Sequence, residues 1–140
     1  MKKIAFIISL FTLGFVLESK AQCVSGNCHN GTGKFKFENG DTYSGSWQEG
    51  KPSGTGRYDF ADGAYYRGDM KEGKFTGDGT YIWKDMSKYE GNWKDGKREG
   101  FGKYTWVNGD NYYGHWSADL IVDTEVKEAA QCTSKPTIDN

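Results

Sequence analysis

Aromatic and small polar residues alternate with a period of two between residues 43 and 47. Tyr43, Gly45 and Trp47 fall on one side of this alternation, and Ser44 and Ser46 fall on the other. Successive side chains of a strand point to opposite faces, so the pattern predicts a β-strand with an aromatic face and a polar face. The same pattern returns every 23 residues, beginning at Tyr66, at Tyr89 and at Tyr112. A fixed return of this kind indicates a repeat array.

Each unit also contains a second alternating segment that follows a Gly-x-Gly pair. Gly56, Tyr58 and Phe60 alternate with Arg57 and Asp59. The aromatic positions of the equivalent segments are Phe35 and Phe37, Tyr81 and Trp83, and Tyr104 and Trp106. Two strands in each unit, joined by short reversals, predict an all-β fold. We expect an antiparallel β-meander of about eight strands over residues 31–116.

Two kinds of connection join these strands. Asn39-Gly40, Asp62-Gly63 and Asn108-Gly109 carry the signal for a tight hairpin turn, in which two residues adopt positive φ. Asp85-Met86 stands at the same place without the glycine, so this turn is predicted to be strained or longer. The other connection, residues 49–54 and its copies, is predicted to be a longer loop bounded by glycine.

A glycine stands at the centre of the first strand of every unit, at Gly45, Gly68, Gly91 and Gly114. Glycine inside a strand costs roughly 0.5 to 1 kcal/mol relative to alanine. The repetition of this cost predicts that aromatic rings lie directly over the backbone at these positions.

The N-terminal segment differs from the repeat array. Lys2 and Lys3 precede an apolar run over residues 4–17, and small residues follow at positions 19 and 21. We interpret residues 1–21 as a secretory signal that is removed on export, because the run is shorter than the ~20 residues that span a membrane. An uncleaved anchor and a lipoprotein acylated at Cys23 are the alternatives, and Gln22 is a poor residue to precede a lipidated cysteine. The mature chain would carry 15 basic and 18 acidic side chains, a balance that disfavours nucleic acid as a partner.

Cysteine positions favour one disulfide bond. Cys23 and Cys28 lie together before the first repeat strand, in a lead-in over residues 22–30, whereas Cys132 follows the last strand. Eight strands spaced ~4.8 Å apart separate the two ends of the sheet by roughly 34 Å. A helical tail would be too short to return Cys132 across that distance, whereas an extended tail could reach it. We therefore predict a bond between Cys23 and Cys28 and leave Cys132 free or intermolecular, with two unbridged thiols as the alternative.

The tail over residues 117–140 departs from the repeat. Val122, Val126, Ala129 and Ala130 have helical spacing, so a short amphipathic helix that covers the last strand is predicted, with a disordered end.

The consensus Y-x-G-x-W-x-x-G-K-x-x-G-x-G, with its 23-residue period, resembles the MORN (membrane occupation and recognition nexus) repeat family. The resemblance covers about residues 31–116, with Met70 in place of the tryptophan and Met86 in place of the turn glycine. The resemblance implies an elongated, twisted, single-layer antiparallel β-meander and a non-catalytic module that mediates protein association. Some members of the family are implicated in binding acidic phospholipids, so this chain is a candidate for the same interaction.

Two surfaces are candidate binding sites. The first is the aromatic face, represented by Tyr43, Trp47, Tyr66, Tyr89, Trp93, Tyr112 and Trp116. These rings either pack on one another or remain partly exposed for a partner. The second is a basic edge, represented by Lys51, Lys74 and Lys97, which recur at one loop position among acidic neighbours.

No catalytic or metal-binding constellation is apparent in the sequence. His29 and His115 are the only histidines, they lie far apart along the array, and no cofactor motif accompanies them. We expect an exported, secreted or periplasmic module without enzymatic activity that mediates protein–protein interaction or envelope scaffolding, with self-association as one form. The alternative is a peripheral binder of anionic phospholipid or glycan.

Overall fold

The structure is a computed structural model that describes residues 21–122. The predicted signal segment up to residue 20, the helix predicted in the tail and Cys132 lie outside the described residues. The described part contains ten strands that form one open sheet in the order β1 to β10, with every neighbouring pair antiparallel. The predicted all-β, single-layer meander is therefore confirmed.

Eight of the strands belong to the repeat units. They are β2 (Gly31–Lys36), β3 (Thr42–Gln48), β4 (Lys51–Asp59), β5 (Tyr65–Lys71), β6 (Lys74–Ile82), β7 (Lys88–Lys94), β8 (Lys97–Thr105) and β9 (Asn111–Ser117). Their polar positions face one side of the sheet and their aromatic positions face the other, as the alternation predicts.

Two further strands were not predicted. The lead-in contains β1 (Gln22–Gly26), which pairs with β2, and the start of the tail contains β10 (Leu120–Ile121), which pairs with the end of β9. The structure contains the predicted disulfide bond between Cys23 and Cys28, whose Cα atoms are 6.0 Å apart. This bond joins β1 to the turn that leads into β2. Both added strands cover an edge of the repeat sheet that would otherwise expose unpaired backbone groups.

One glycine from every repeat strand lies in a single row across the sheet. Neighbouring members of this glycine row are opposite each other in the strand register, in the order Gly33, Gly45, Gly56, Gly68, Gly79, Gly91, Gly102 and Gly114. A Cβ atom on Gly56 would lie 2.2 Å from the Tyr43 hydroxyl, and one on Gly79 would lie 2.3 Å from that of Tyr66. Glycine is needed here because the tyrosine rings lie directly on the backbone, as the sequence predicts.

The two kinds of turn are the reverse of those predicted. Glu49 and Gly50 both adopt positive φ, 50° and 73°, and join β3 directly to β4, so the tight hairpin turn is here. Residues 37–41 join β2 to β3, where Gly40 has positive φ and its N–H bonds to the Phe37 carbonyl oxygen at 3.1 Å. The longer connection between β2 and β3 positions the buried Asp41 carboxylate. This carboxylate accepts hydrogen bonds from the Tyr58 hydroxyl and the Ala61 N–H of the next unit.

Met86 occupies the strained turn that the sequence predicts, although the turn is not longer than its copies. Its φ is 71°, whereas Gly40, Gly63 and Gly109 stand at the equivalent positions with φ between 91° and 99°. The Met86 side chain is 74% exposed, so packing does not compensate this strain.

Replacing Met86 by glycine is therefore expected to raise the free energy of unfolding by about 1 kcal/mol. Urea denaturation of M86G measures the change, and G109M is its matched inverse, which should lose a similar amount. A neutral or destabilising effect of M86G would show that the turn is not strained.

Candidate functional site

The aromatic residues that the sequence nominates for binding form the core of the sheet. Six of the seven are buried, and Tyr112 is half-buried. The buried members are Tyr43, Trp47, Tyr66, Tyr89, Trp93 and Trp116, and Met70 joins them. Of the two interpretations of this face, the structure therefore favours rings that pack on one another, and these six offer little surface to a partner.

The polar ends of these buried rings bond to the backbone of the sheet. Trp47 donates its indole N–H to the Gly33 carbonyl oxygen at 3.0 Å, and Tyr43 donates its hydroxyl to the Ser46 carbonyl oxygen at 3.1 Å. Trp93 and Trp116 repeat the first bond in later units, to Gly79 and Gly102. Each tryptophan therefore ties its strand to the preceding strand of the sheet, and no polar group of these rings is left for a ligand.

Burial also changes the titration of the tyrosines. It raises the pKa of Tyr43 and of Tyr66, because a buried phenolate would lose its hydration. The same effect raises the pKa of Tyr89 to about 12. These groups stay neutral at physiological pH and have the character of core residues.

A second set of rings, from the ends of the other strands, forms the partly exposed surface of this face. We call it the aromatic ladder, and its members in order are Phe35, Phe37, Tyr58, Phe60, Tyr81, Trp83, Tyr104 and Trp106. Successive ring centroids are between 4.6 and 5.6 Å apart along its whole length. The alternation predicts that these residues lie on the aromatic face, but they are not among the predicted binding residues. Their position near the strand ends is the signal that could have distinguished them.

The basic edge lies at the tight turns. Lys51, Lys74 and Lys97 are all exposed and each begins a strand. Lys74 lies opposite Lys71, so two like charges flank one turn, and the pair of Lys97 and Lys94 repeats this arrangement. Among the described residues these lysines form no ion pair with the turn carboxylates. The edge is therefore a row of unpaired cations interrupted by acidic side chains.

The polar face changes character in the last unit. Phe101 and Tyr113 stand where the preceding unit has Asp78 and Glu90, and they are 51% and 70% exposed. Their rings stack with centroids 6.2 Å apart, and the centroid of the Phe101 ring lies 3.7 Å from that of the His115 ring. We call these three residues the terminal patch. Sequence reasoning missed it, although comparing the units position by position would have revealed the departure.

Within residues 21–122, no group of three or more histidine, cysteine, aspartate or glutamate side chains is placed to hold a metal ion. In the same part of the chain, no helix is long and apolar enough to cross a membrane.

Comparison with known families agrees with the repeat geometry. The MORN repeat matches residues 29–42, 43–65, 66–85 and 89–111, which together make up more than half of the chain. The chain therefore belongs to the MORN repeat family. Repeats of this family generally serve as modules for protein or lipid interaction and are generally non-catalytic. A search of curated proteins found no match to the chain.

Proposed function

We propose that this protein is an exported, non-catalytic interaction module that associates with a second copy of itself through the terminal patch. The exposed Phe101 and Tyr113 rings carry the proposal, because the other units place polar or charged side chains at both positions. Stacked, solvent-exposed aromatic rings on an otherwise polar surface are typical of a protein contact.

The surroundings of the patch favour a second copy as the partner. Lys103 lies opposite Tyr113 on one side and opposite Glu90 on the other. A two-fold contact needs a surface that complements itself, and a ring cluster bordered by both signs of charge meets that need. In addition, β10 pairs only with Ser117 and Trp116 of β9. The rest of the outer side of β9 has no neighbouring strand among the described residues, so a second sheet could extend the contact there.

Light scattering coupled to size-exclusion chromatography tests this proposal on the exported protein. The wild type is expected to form a dimer that persists in reductant. The variant F101D/Y113E gives the last unit the polar residues of the unit before it, and it should be monomeric because two carboxylates on each copy would repel across the interface.

The matched control is T32D/S44E, which adds the same two carboxylates at the equivalent positions of the first unit. It should remain a dimer. A wild-type monomer at all concentrations, or equal loss of the dimer in both variants, would contradict the proposal. A dimer that reductant dissociates would instead assign the contact to Cys132.

Export is the second part of the proposal. The basic and apolar N-terminal pattern supports it, as does the bond between Cys23 and Cys28, because disulfide bonds persist in oxidising compartments. A cysteine in a disulfide bond has no thiol for acylation, which favours the secreted or periplasmic form over the lipoprotein. Nucleic acid does not suit the acidic mature chain.

Anionic phospholipid is the alternative ligand, favoured by the unpaired lysines of the basic edge. Flotation with phosphatidylserine vesicles at low and high salt tests it. K51E/K74E/K97E should then lose flotation, whereas K34E/K84E/K103E, with the same change in charge elsewhere on the sheet, should retain it. Unchanged flotation of K51E/K74E/K97E would discard this edge as a lipid site. Glycan is the other alternative, and a pocket on the aromatic face favours it.

A further inference from the structure

A shallow pocket opens on the aromatic face beside the last units. It has a volume of about 330 Å³, and its lining residues are Trp83, Arg98, Tyr104, Trp106 and Trp116. The preceding unit has Phe75 at the position of Arg98. There the Phe75 ring stacks 3.8 Å from Tyr66 and lies 5.5 Å from Trp93, so an aromatic side chain fills the equivalent space.

Three side chains that vary between the units meet at this pocket. The position of Arg98 holds His29, Pro52 and Phe75 in the earlier units, and Trp83 and Trp106 of the last two units stand where the first two have Phe37 and Phe60. The sheet is built from the same packing in each unit, and phenylalanine satisfies that packing in the earlier units. Packing alone therefore does not account for a charged group and two larger rings at one place, and this coincidence indicates a binding site.

The guanidinium of Arg98 is fixed in the pocket by two kinds of contact. Its Nε and Nη2 atoms donate to the Oδ1 and carbonyl oxygens of Asp119, at 3.1 and 3.0 Å. Its central carbon lies 4.3 Å from the centre of the Trp116 ring. A guanidinium carries five N–H donors, and among the described residues only Asp119 accepts hydrogen bonds from this side chain. The remaining donors are held in place for a ligand.

These features select the chemistry of the ligand. The positive charge of Arg98 disfavours a cation, and Asp119 compensates that charge, so a neutral ligand suits the site. The exposed indole of Trp106 offers an electron-rich face next to fixed N–H donors. A pyranose ring complements both, because one of its faces presents C–H groups to an aromatic ring while its hydroxyl oxygens accept hydrogen bonds.

We propose that the pocket between Trp83, Trp106 and Arg98 binds a neutral pyranose unit of a saccharide. This proposal develops the glycan alternative of the proposed function and is independent of self-association at the terminal patch. That patch lies on the opposite face of the sheet, so both contacts can form at once. A dimer would then present two saccharide sites.

Tryptophan fluorescence titration of the exported protein tests the proposal. The probes are soluble hexasaccharides of β-linked glucose, of α-linked glucose and of β-linked N-acetylglucosamine. Saturable quenching is expected with at least one of them. W106A should weaken that binding by about tenfold or more, as truncation of an aromatic anchor does. W106F introduces the phenylalanine of the first two units and should weaken binding less than W106A does. If W106A folds poorly, W106F replaces it as the test variant.

The matched control is F37A, which truncates the equivalent ring near the other end of the aromatic ladder and should leave the affinity unchanged. F101D/Y113E should bind the saccharide like the wild type even as a monomer, so a failure of one proposal is distinguishable from a failure of the other. Absence of saturable binding to all three probes would overturn the saccharide site. Equal weakening by F37A and W106A would overturn its assignment to this pocket.

Discussion

Replacing Gly56 by alanine is expected to lower the free energy of unfolding by roughly 3 kcal/mol. The added Cβ would lie 2.2 Å from the Tyr43 hydroxyl oxygen and 2.5 Å from two of its ring carbons. Tyr43 is fully buried between its neighbours, so its ring cannot move aside without disturbing the core. Urea denaturation at neutral pH measures the change.

Two comparisons isolate the clash as the cause. At Gly73 an added Cβ would meet no atom, and the only penalty is the positive φ of the backbone. G73A should therefore lower the free energy of unfolding by about 1 kcal/mol. In a Y43L background, which removes the outer part of the ring, G56A should cost less than about 1 kcal/mol, because contacting residues are not additive. An undiminished cost of G56A in that background would show that the ring contact is not the reason for glycine.

Alkaline pH is expected to unfold the protein through its buried tyrosines. The pKa of Tyr89 rises to about 12 on folding, and burial raises the pKa of Tyr43, Tyr58, Tyr66 and Tyr81 as well. A folded-state pKa above the unfolded value of ~10 means that the stabilisation is complete below pH ~10. It is then lost as the pH rises through the folded-state values. For Tyr89 alone the shift corresponds to roughly 3 kcal/mol.

Circular dichroism and phenolate absorbance, followed together between about pH 9 and about pH 12, measure this loss. Phenolate absorbance of the buried rings should appear with the loss of sheet structure and not before it. The control Y89F should be less stable than the wild type by about 1 kcal/mol at neutral pH, because its hydrogen bond to the Asn92 carbonyl oxygen is missing. Its stability should fall less steeply above pH ~10. A wild-type free energy of unfolding that stays constant over this range would contradict the burial of these rings.

The architecture could be predicted because the repeat imposes the same local pattern on every unit. Alternation fixed which side chains share a face, and the glycine at the centre of each first strand indicated that a ring lies over the backbone there. Both predictions are confirmed by the glycine row beneath Tyr43, Tyr66 and Tyr89.

Depth within the aromatic face could not be predicted from alternation. Tyr43 and Trp47 share a face with Tyr58 and Phe60, yet the first pair is buried and the second is half-exposed. The difference arises because the first-strand rings lie across the glycine row and bond to neighbouring backbone, whereas the second-strand rings stand near the strand ends. A period of two gives the side of the sheet but not the distance from its middle.

The two kinds of turn were mispredicted, and the two edge strands were not predicted, because neither follows from the alternation. An Asn-Gly pair is compatible with more than one turn length, and here the hydrogen bonds of Asp41 with the next unit select the longer form. The edge strands β1 and β10 lack the aromatic alternation of the repeat, because their role is to cover a neighbour and not to build the core.

The candidate sites arise where the chain departs from its own consensus. Phe101, Tyr113 and Arg98 belong to the last unit and differ from their counterparts in the preceding unit, whereas Trp106 differs only from the phenylalanine of the first two units. The shared residues build the scaffold, and the proposed binding sites lie where the units differ.

The most direct test of this account is a dilution series of the isotope-labelled chain, residues 22–140, followed by amide chemical shifts in NMR spectra. We predict that the signals that move with concentration belong to β8 and β9 around Phe101 and Tyr113, while those of the first units stay fixed. Concentration-dependent shifts spread along the aromatic ladder or the basic edge, or no shifts at all, would contradict the assignment of self-association to the terminal patch.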